Sequence, residues 1–336
     1  MKEAGCLPNA VTFLTLIGGC VKGGQSQGVA ARLVDEMVDA QCKPIPSLSS
    51  AVISACVALT KKEISQVCQK MSDLGAAIFS HVAKLLLQDD LDHQQVKETA
   101  VEMLGEMGRE WGKVFKARFL GAVCHALWHQ GLETRATIVL SCGMEASLVP
   151  LGTCVFEEDT WVLDLRSMSA GIAITIWWLW LRAIQKILAE WRTGGERQWE
   201  VSDLFPLLPP NVVWNTGMQH PVLSAESQTP GHGVSRSKDT DERVDQEGAP
   251  RGGKVVVRFS CLPTELVLVT GIGRGRGDEM DGGIGGMREV FQTELERVGS
   301  PFRVTTNRGE MSASLGAVVK WLRRSGPEIT NTGARR

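Results

Sequence analysis

The chain has 336 residues, 43% of them hydrophobic and 22% charged, with a formal net charge of −2. That length suggests two units, each able to bury a core, and near-neutrality excludes a global field that recruits polyanions, so any nucleic-acid surface must be a local basic patch. Nine cysteines, an odd number with no CxxC pair, argue against a disulfide framework or a zinc ribbon and for buried thiols in a reducing compartment.

An internal repeat opens the chain. MKEAGCLPN at 1–9 aligns with MVDAQCKPI at 37–45, so that Met1, Ala4, Cys6 and Pro8 recur as Met37, Ala40, Cys42 and Pro44 after 36 residues. Met71-Ser72-Asp73-Leu74-Gly75 begins a decayed third copy 34 residues later. Each period is expected to hold two helices: 11–21 is apolar up to the break at Gly23-Gly24, and 29–38 places Leu33, Val34 and Met37 at helical spacing. Gly18 and Gly19 weaken the first helix by about 1 kcal/mol each relative to alanine. Pro8 and Pro44 cannot sit inside a helix and mark the turn into each hairpin. A hairpin this small cannot bury its apolar face alone, so stacked neighbours are expected. Residues 1–8 have neither a signal-peptide nor a transit-peptide profile and read as the interior of a repeat, which sets the expectation of a fragment whose start lies upstream.

Residues 60–142 predict further helices at 63–71, 94–107, 115–128 and 133–140, the last two forming a hairpin across Gln130-Gly131 that caps the array. His125 and His129, four apart, are expected to be structural, because two ligands do not make a metal site. From Ser167 to Leu181 there are 15 residues without a charge, bracketed by Arg166 and Arg182. A bilayer span needs about 20 apolar residues, so a buried helix over 169–191 and no membrane partner are expected. Trp177 and Trp180 are three apart and belong to the core, whereas Trp178, about 100° away, packs on the preceding hairpin or marks a partner surface, with core packing the favoured expectation for all three.

The grammar changes to strand and helix alternation near residue 160. Strands are expected at 161–165, 254–257, 265–270 and 302–305, and helices at 287–298 and 315–324. An insertion at about 195–253, most polar over 224–253, is expected to be disordered. The loop Gly271-Ile272-Gly273-Arg274-Gly275-Arg276-Gly277 fails both the GxGxxG and the GxxxxGK[ST] spacings. It either presents Arg274 and Arg276 to phosphates or an acidic partner, or is a solvated turn. Arg303, Arg308, Lys320, Arg323 and Arg324 complete a backbone-binding patch if they share a face with that loop.

The 36-residue period with its M-x-x-x-[GQ]-x-x-P ending resembles the pentatricopeptide repeat. Leu163-Asp164-Leu165-Arg166-Ser167-Met168-Ser169 resembles the opening LDxHxxS-type motif of the Smr (small MutS-related) domain, and Thr270-Gly271-Ile272-Gly273 its HGxG or TGxG loop. Gly299-Ser300-Pro301-Phe302 and Val318-Val319-Lys320-Trp321-Leu322 look like that domain's last strand and helix. With the hairpin carrying His125–Trp128 and Arg135-Ala136 between them, residues 1–57 and 115–325 resemble the plant and algal organelle proteins that join pentatricopeptide repeats to an Smr domain. The resemblance implies an α-helical solenoid over 1–59, irregular hairpins over 60–150, an α/β Smr-type sandwich over 160–325 and a tail at 326–336. It also implies a chloroplast location and a role in plastid gene expression, RNA handling or signalling to the nucleus.

Two departures bear on chemistry. Arg166 and Thr270 stand where nuclease-active Smr domains carry histidine, and a guanidinium stays protonated and cannot act as a general base. Asp164 alone is not a catalytic constellation. In the repeats, the positions that would choose a base correspond to Leu14 with Ile45, and then Ser50, and neither leucine nor isoleucine can hydrogen-bond a base edge. The expected function is therefore non-catalytic binding of an RNA or DNA backbone without a cofactor. A protein-interaction adaptor is the alternative, and a nuclease using Asp164 and a divalent metal the third reading.

Overall fold

The computed structural model describes residues 8–22, 28–109, 111–149, 153–156, 159–166, 168–192, 198–200, 256–258, 261–270, 287–306 and 309–325. Gly271, Gly273, Arg274, Arg276 and Arg308, the segment 224–253 and the tail 326–336 lie outside the described residues. The chain is mostly helical, with a small mixed sheet toward its C-terminal end.

Among the described residues eight α-helices come first: α1 (Ala10–Lys22), α2 (Val29–Asp39), α3 (Pro46–Ala55), α4 (Lys61–Asp73), α5 (Ile78–Leu87), α6 (His93–Glu106), α7 (Lys113–His129) and α8 (Glu133–Glu145). Their starts follow from local chemistry. Asn9 Oδ1 accepts from the Thr12 N–H at 3.0 Å, and Pro46 opens α3, where its missing N–H costs nothing. Thr60 with Glu63 and Asp92 with Gln95 form reciprocal capping boxes on α4 and α6.

The repeat endings turn out to be helix stops. The residue after each stop enters the left-handed region, and the next N–H reaches back five residues to close the last turn. Cys42 N–H donates to Met37 O at 3.0 Å past Gln41 (φ 49°), and Ala76 N–H donates to Met71 O at 3.1 Å past Gly75 (φ 89°). The same geometry recurs at Gly131, Ser147 and Gly299.

Packing places the helices in two rows. One runs α1–α3–α7 and the other α2–α4–α5–α6–α8, with α7 and α8 joined as a hairpin. The expected succession of sequential hairpins is thus interrupted, because α3 packs on α7 and both α5 and α6 sit in the second row. Helix α7 is covered by α3, α8 and the later helix Ala170–Arg192, which is why Phe119, Leu120, Val123, Cys124, Ala126 and Leu127 are apolar all round with no single stripe.

The sheet has the order β1-β2-β5-β7-β6, from β1 (Thr153–Phe156), β2 (Thr160–Asp164), β5 (Glu265–Val269), β6 (Arg303–Val304) and β7 (Glu310–Ser314). β2 and β5 are parallel and the other pairings antiparallel. β3 (Gln198–Glu200) and β4 (Val256–Arg258) form a separate antiparallel pair. This corrects the expected insertion at its start: 198–200 is a strand held by a partner more than fifty residues away, and 201–253 lies outside the described residues. Strands β1 and β7 were not expected from the sequence.

Helix α9 (Ala170–Arg192) carries the chain from β2 toward its parallel neighbour β5, and it also continues the first helical row by packing on α7. At 23 residues it outruns its uncharged stretch, and by length and composition it is the one helix among the described residues able to cross a membrane. Most of it is buried inside the fold, 78% of its most apolar window. The α7–α9 crossing is close enough to require glycine, because a Cβ on Gly171 would lie 1.9 Å from the Gly121 carbonyl oxygen. Trp178 stacks on Trp128 of α7, with centroids 5.8 Å apart, which settles its placement toward the preceding hairpin. Trp177 meets Trp321, Phe291 and Phe302, joining α9 to α10 (Met287–Arg297), the following loop and α11 (Leu315–Ser325).

Candidate nucleic-acid interface

Strand alternation in β2 buries Leu163 and leaves Asp164 half-buried at the strand end, where Arg166 folds back over it. Arg166 Nε lies 3.0 Å from both carboxylate oxygens, Nη2 lies 2.5 Å from Oδ2, and the Arg166 N–H donates to Oδ1 at 3.0 Å. Burial raises the Asp164 pKa, but the hydrogen bonds and charge of Arg166 outweigh it, and the net shift is downward. The carboxylate is therefore ionised and paired at neutral pH, which suits neither a general acid nor an unencumbered base. Thr270, next to the loop's glycines, is buried, and its N–H and Oγ1 both donate to Gly309 O, at 2.9 and 3.3 Å. Its hydroxyl braces the turn before β7.

The described members of the expected basic patch fall into two kinds. Lys320, Arg323 and Arg324 lie at i, i+3 and i+4 on the exposed face of α11, while Val318, Trp321 and Leu322 are buried on the other. Trp321 Nε1 donates to Val298 O at 3.0 Å and fixes the helix on α10's end. No carboxylate interrupts α11, so its solvent face is of one sign. Arg303 is exposed but braces its own loop, Nη1 donating to Ser300 O at 2.7 Å and to Phe302 O at 2.8 Å.

The repeat positions offer little to a base. Leu14 and Ile45 are half-buried against the core, and Ser50 is buried with its Oγ donating to Pro46 O at 3.0 Å.

Several features escaped sequence reasoning. His125 and His129 approach at 3.0 Å between Nε2 atoms, and His129 Nε2 lies 3.7 Å from Oε2 of Glu294 on α10. Glu294 is only 4% exposed and is held bidentately by Arg297 at 2.7 Å. Nothing in sequence spacing could join α7 to residues more than 160 positions later. Arg135, which the resemblance marks only as part of a motif, is buried and donates to Leu85 O at 2.9 Å and Asp89 O at 3.0 Å, finishing α5. An open cleft of about 330 Å³ lies between α10 and the edge strand β6, floored by Leu295, Phe302 and Met311. The first turn of α7 leaves Val114 and Phe115 exposed among cations, a pattern that hydrophobic periodicity counts as core. Among the described residues no three His, Cys, Asp or Glu side chains converge to hold a metal ion.

No family model, curated protein or solved structure matches the chain.

Proposed function

We propose that the chain is a non-catalytic nucleic-acid-binding protein that grips the RNA or DNA backbone through local basic surfaces. In this reading the two helical rows are a degenerate pentatricopeptide-type solenoid and the sheet with α9–α11 is an Smr-type domain. The location implied by that resemblance is the chloroplast, and the role organelle gene expression or signalling. The observation that carries the reading is α11, whose buried face is locked by Trp321 while its solvent face offers Lys320, Arg323 and Arg324 with no carboxylate among them. The pairing of Asp164 with Arg166 favours binding over a metal-dependent cut, because a divalent ion would have to displace a guanidinium from the only motif carboxylate.

The test is fluorescence anisotropy of the purified chain with mixed-sequence single-stranded RNA at two salt concentrations. Affinity falls steeply with salt, and Lys320→Ala/Arg323→Ala/Arg324→Ala lowers the slope of log K against log salt by about 2, from roughly 0.7 per phosphate contact. A folded chain with no affinity at low salt refutes the proposal.

A second reading, a protein-interaction adaptor, has one observation in its favour. The cleft beside β6 has an apolar floor, and β6 ends the sheet with no further strand on it among the described residues.

A further inference from the structure

Segment 109–118 holds Arg109, Lys113, Lys116 and Arg118 against one carboxylate, Glu110. Within it Val114 is 62% exposed and Phe115 38% exposed, two of the few large apolar side chains that the described residues leave in water. Neither serves the core, since the local aromatic contact is Trp111 on Phe119, with centroids 5.4 Å apart. The cations do not serve the helix either. Positive side chains in a first turn oppose the helix dipole, and α7 has no acidic residue there to balance them. Lys113 and Lys116 make no ion pair with another described residue. The Arg118 guanidinium lies 5.9 Å from the Phe115 ring centroid, so a cation backs a ring that remains accessible.

We infer that this edge of α7 is a contact for single-stranded nucleic acid, with one base stacked on Phe115 and the flanking phosphates on Lys113 and Lys116. The inference rests on the nucleic-acid reading above and adds a surface separate from α11 and from the positions of Leu14, Ile45 and Ser50. A flat accessible ring between cations matches alternating bases and phosphates. An acidic peptide would use the lysines and leave the ring idle, so it is the weaker match.

The experiment is anisotropy with a labelled single-stranded uridine oligomer over a salt series, with circular dichroism confirming that each variant is folded. Phe115→Ala weakens binding about 5- to 150-fold with the salt slope unchanged, because stacking releases no counterions, and Phe115→Trp retains affinity. Lys113→Ala/Lys116→Ala lowers the slope by about 1.4. If the wild-type chain binds no oligomer, the nucleic-acid reading itself fails. If it binds and Phe115→Ala binds equally well, this contact is refuted and the wider reading stands. Loss of binding on lysine removal alone, with an aspartate-rich peptide competing, assigns the edge to an acidic protein and overturns the inference.

Discussion

Lowering the pH from 7 to 5 should weaken the junction between α7 and α10 through His125. Burial, then the neighbouring His129 and then Arg297 push the pKa of His125 from its ordinary 6.5 down to about 3. His129 is also shifted down, by burial and by Arg297, against the opposing pull of Glu294. In the unfolded chain His125 takes up a proton near pH 6.5, and in the folded chain only near pH 3. Between those values the unfolded state holds more protons, so stability present at pH 7 is lost as the pH falls. For this one residue the loss by pH 5 is about 2 kcal/mol, at 1.36 kcal/mol per unit of pKa difference traversed. The chain has ten tryptophans and no tyrosine, and Trp128 lies on α7 itself, so urea unfolding followed by tryptophan emission includes the loss of this junction in its signal. The wild type should lose about 2 kcal/mol more between pH 7 and pH 5 than His125→Asn does. Equal losses in the two proteins would refute the assignment of the acid sensitivity to this residue, whatever the absolute stability of the variant.

Four substitutions test the packing by thermal or urea unfolding. Gly171→Ala forces a methyl group into the Gly121 carbonyl and should cost about 1–3 kcal/mol, whereas Gly19→Ala, with nothing within 4 Å, should gain about 1 kcal/mol. If the two alanines act alike, the close approach of α7 and α9 is wrong. Arg135→Met leaves Leu85 O and Asp89 O without their donors and should cost about 2–3 kcal/mol, read as earlier melting of the α5–α8 region in hydrogen exchange. Gln41→Gly relieves a left-handed residue at a helix stop, and even after losing the Gln41 Nε2 bond to Val38 O it should gain about 0.5–1 kcal/mol in urea midpoint measurements.

Much of the architecture is legible in the sequence because it is written locally. The α7–α8 hairpin is announced by Gln130-Gly131, where Gly131 takes φ 73°, and α9 by its uninterrupted apolar run. β2 and β5 show as short apolar runs because both lie inside the sheet. β7 does not show. Its sequence Glu-Met-Ser-Ala-Ser offers only Met311 and Ala313 to the core and passes into α11 without a turn, so its strand character depends on pairing with β5 and β6. Helix α5 has no side-chain cap to mark its start, and the packing of α3 along α7 is a long-range decision with no local signature. The same division holds at the site. The identities of Asp164, Arg166 and the α11 cations are plain in the sequence. The closure of Arg166 on Asp164, the use of Arg303 to brace its own loop and the meeting of His129 with Glu294 exist only in three dimensions.

The double duty of α9 limits how the protein can be taken apart. A gene fragment ending near residue 149 would strip α7 of the helix that covers Gly121 and Trp128, and the complementary fragment would turn Trp178 and its apolar neighbours to water. Ending the first fragment before α7 only moves the wound to α3, which packs on α7 in turn. Chimeras, truncations and domain transplants made with this chain should therefore carry α1 through α11 as one cassette. Two pieces made separately should recover their fold only when mixed.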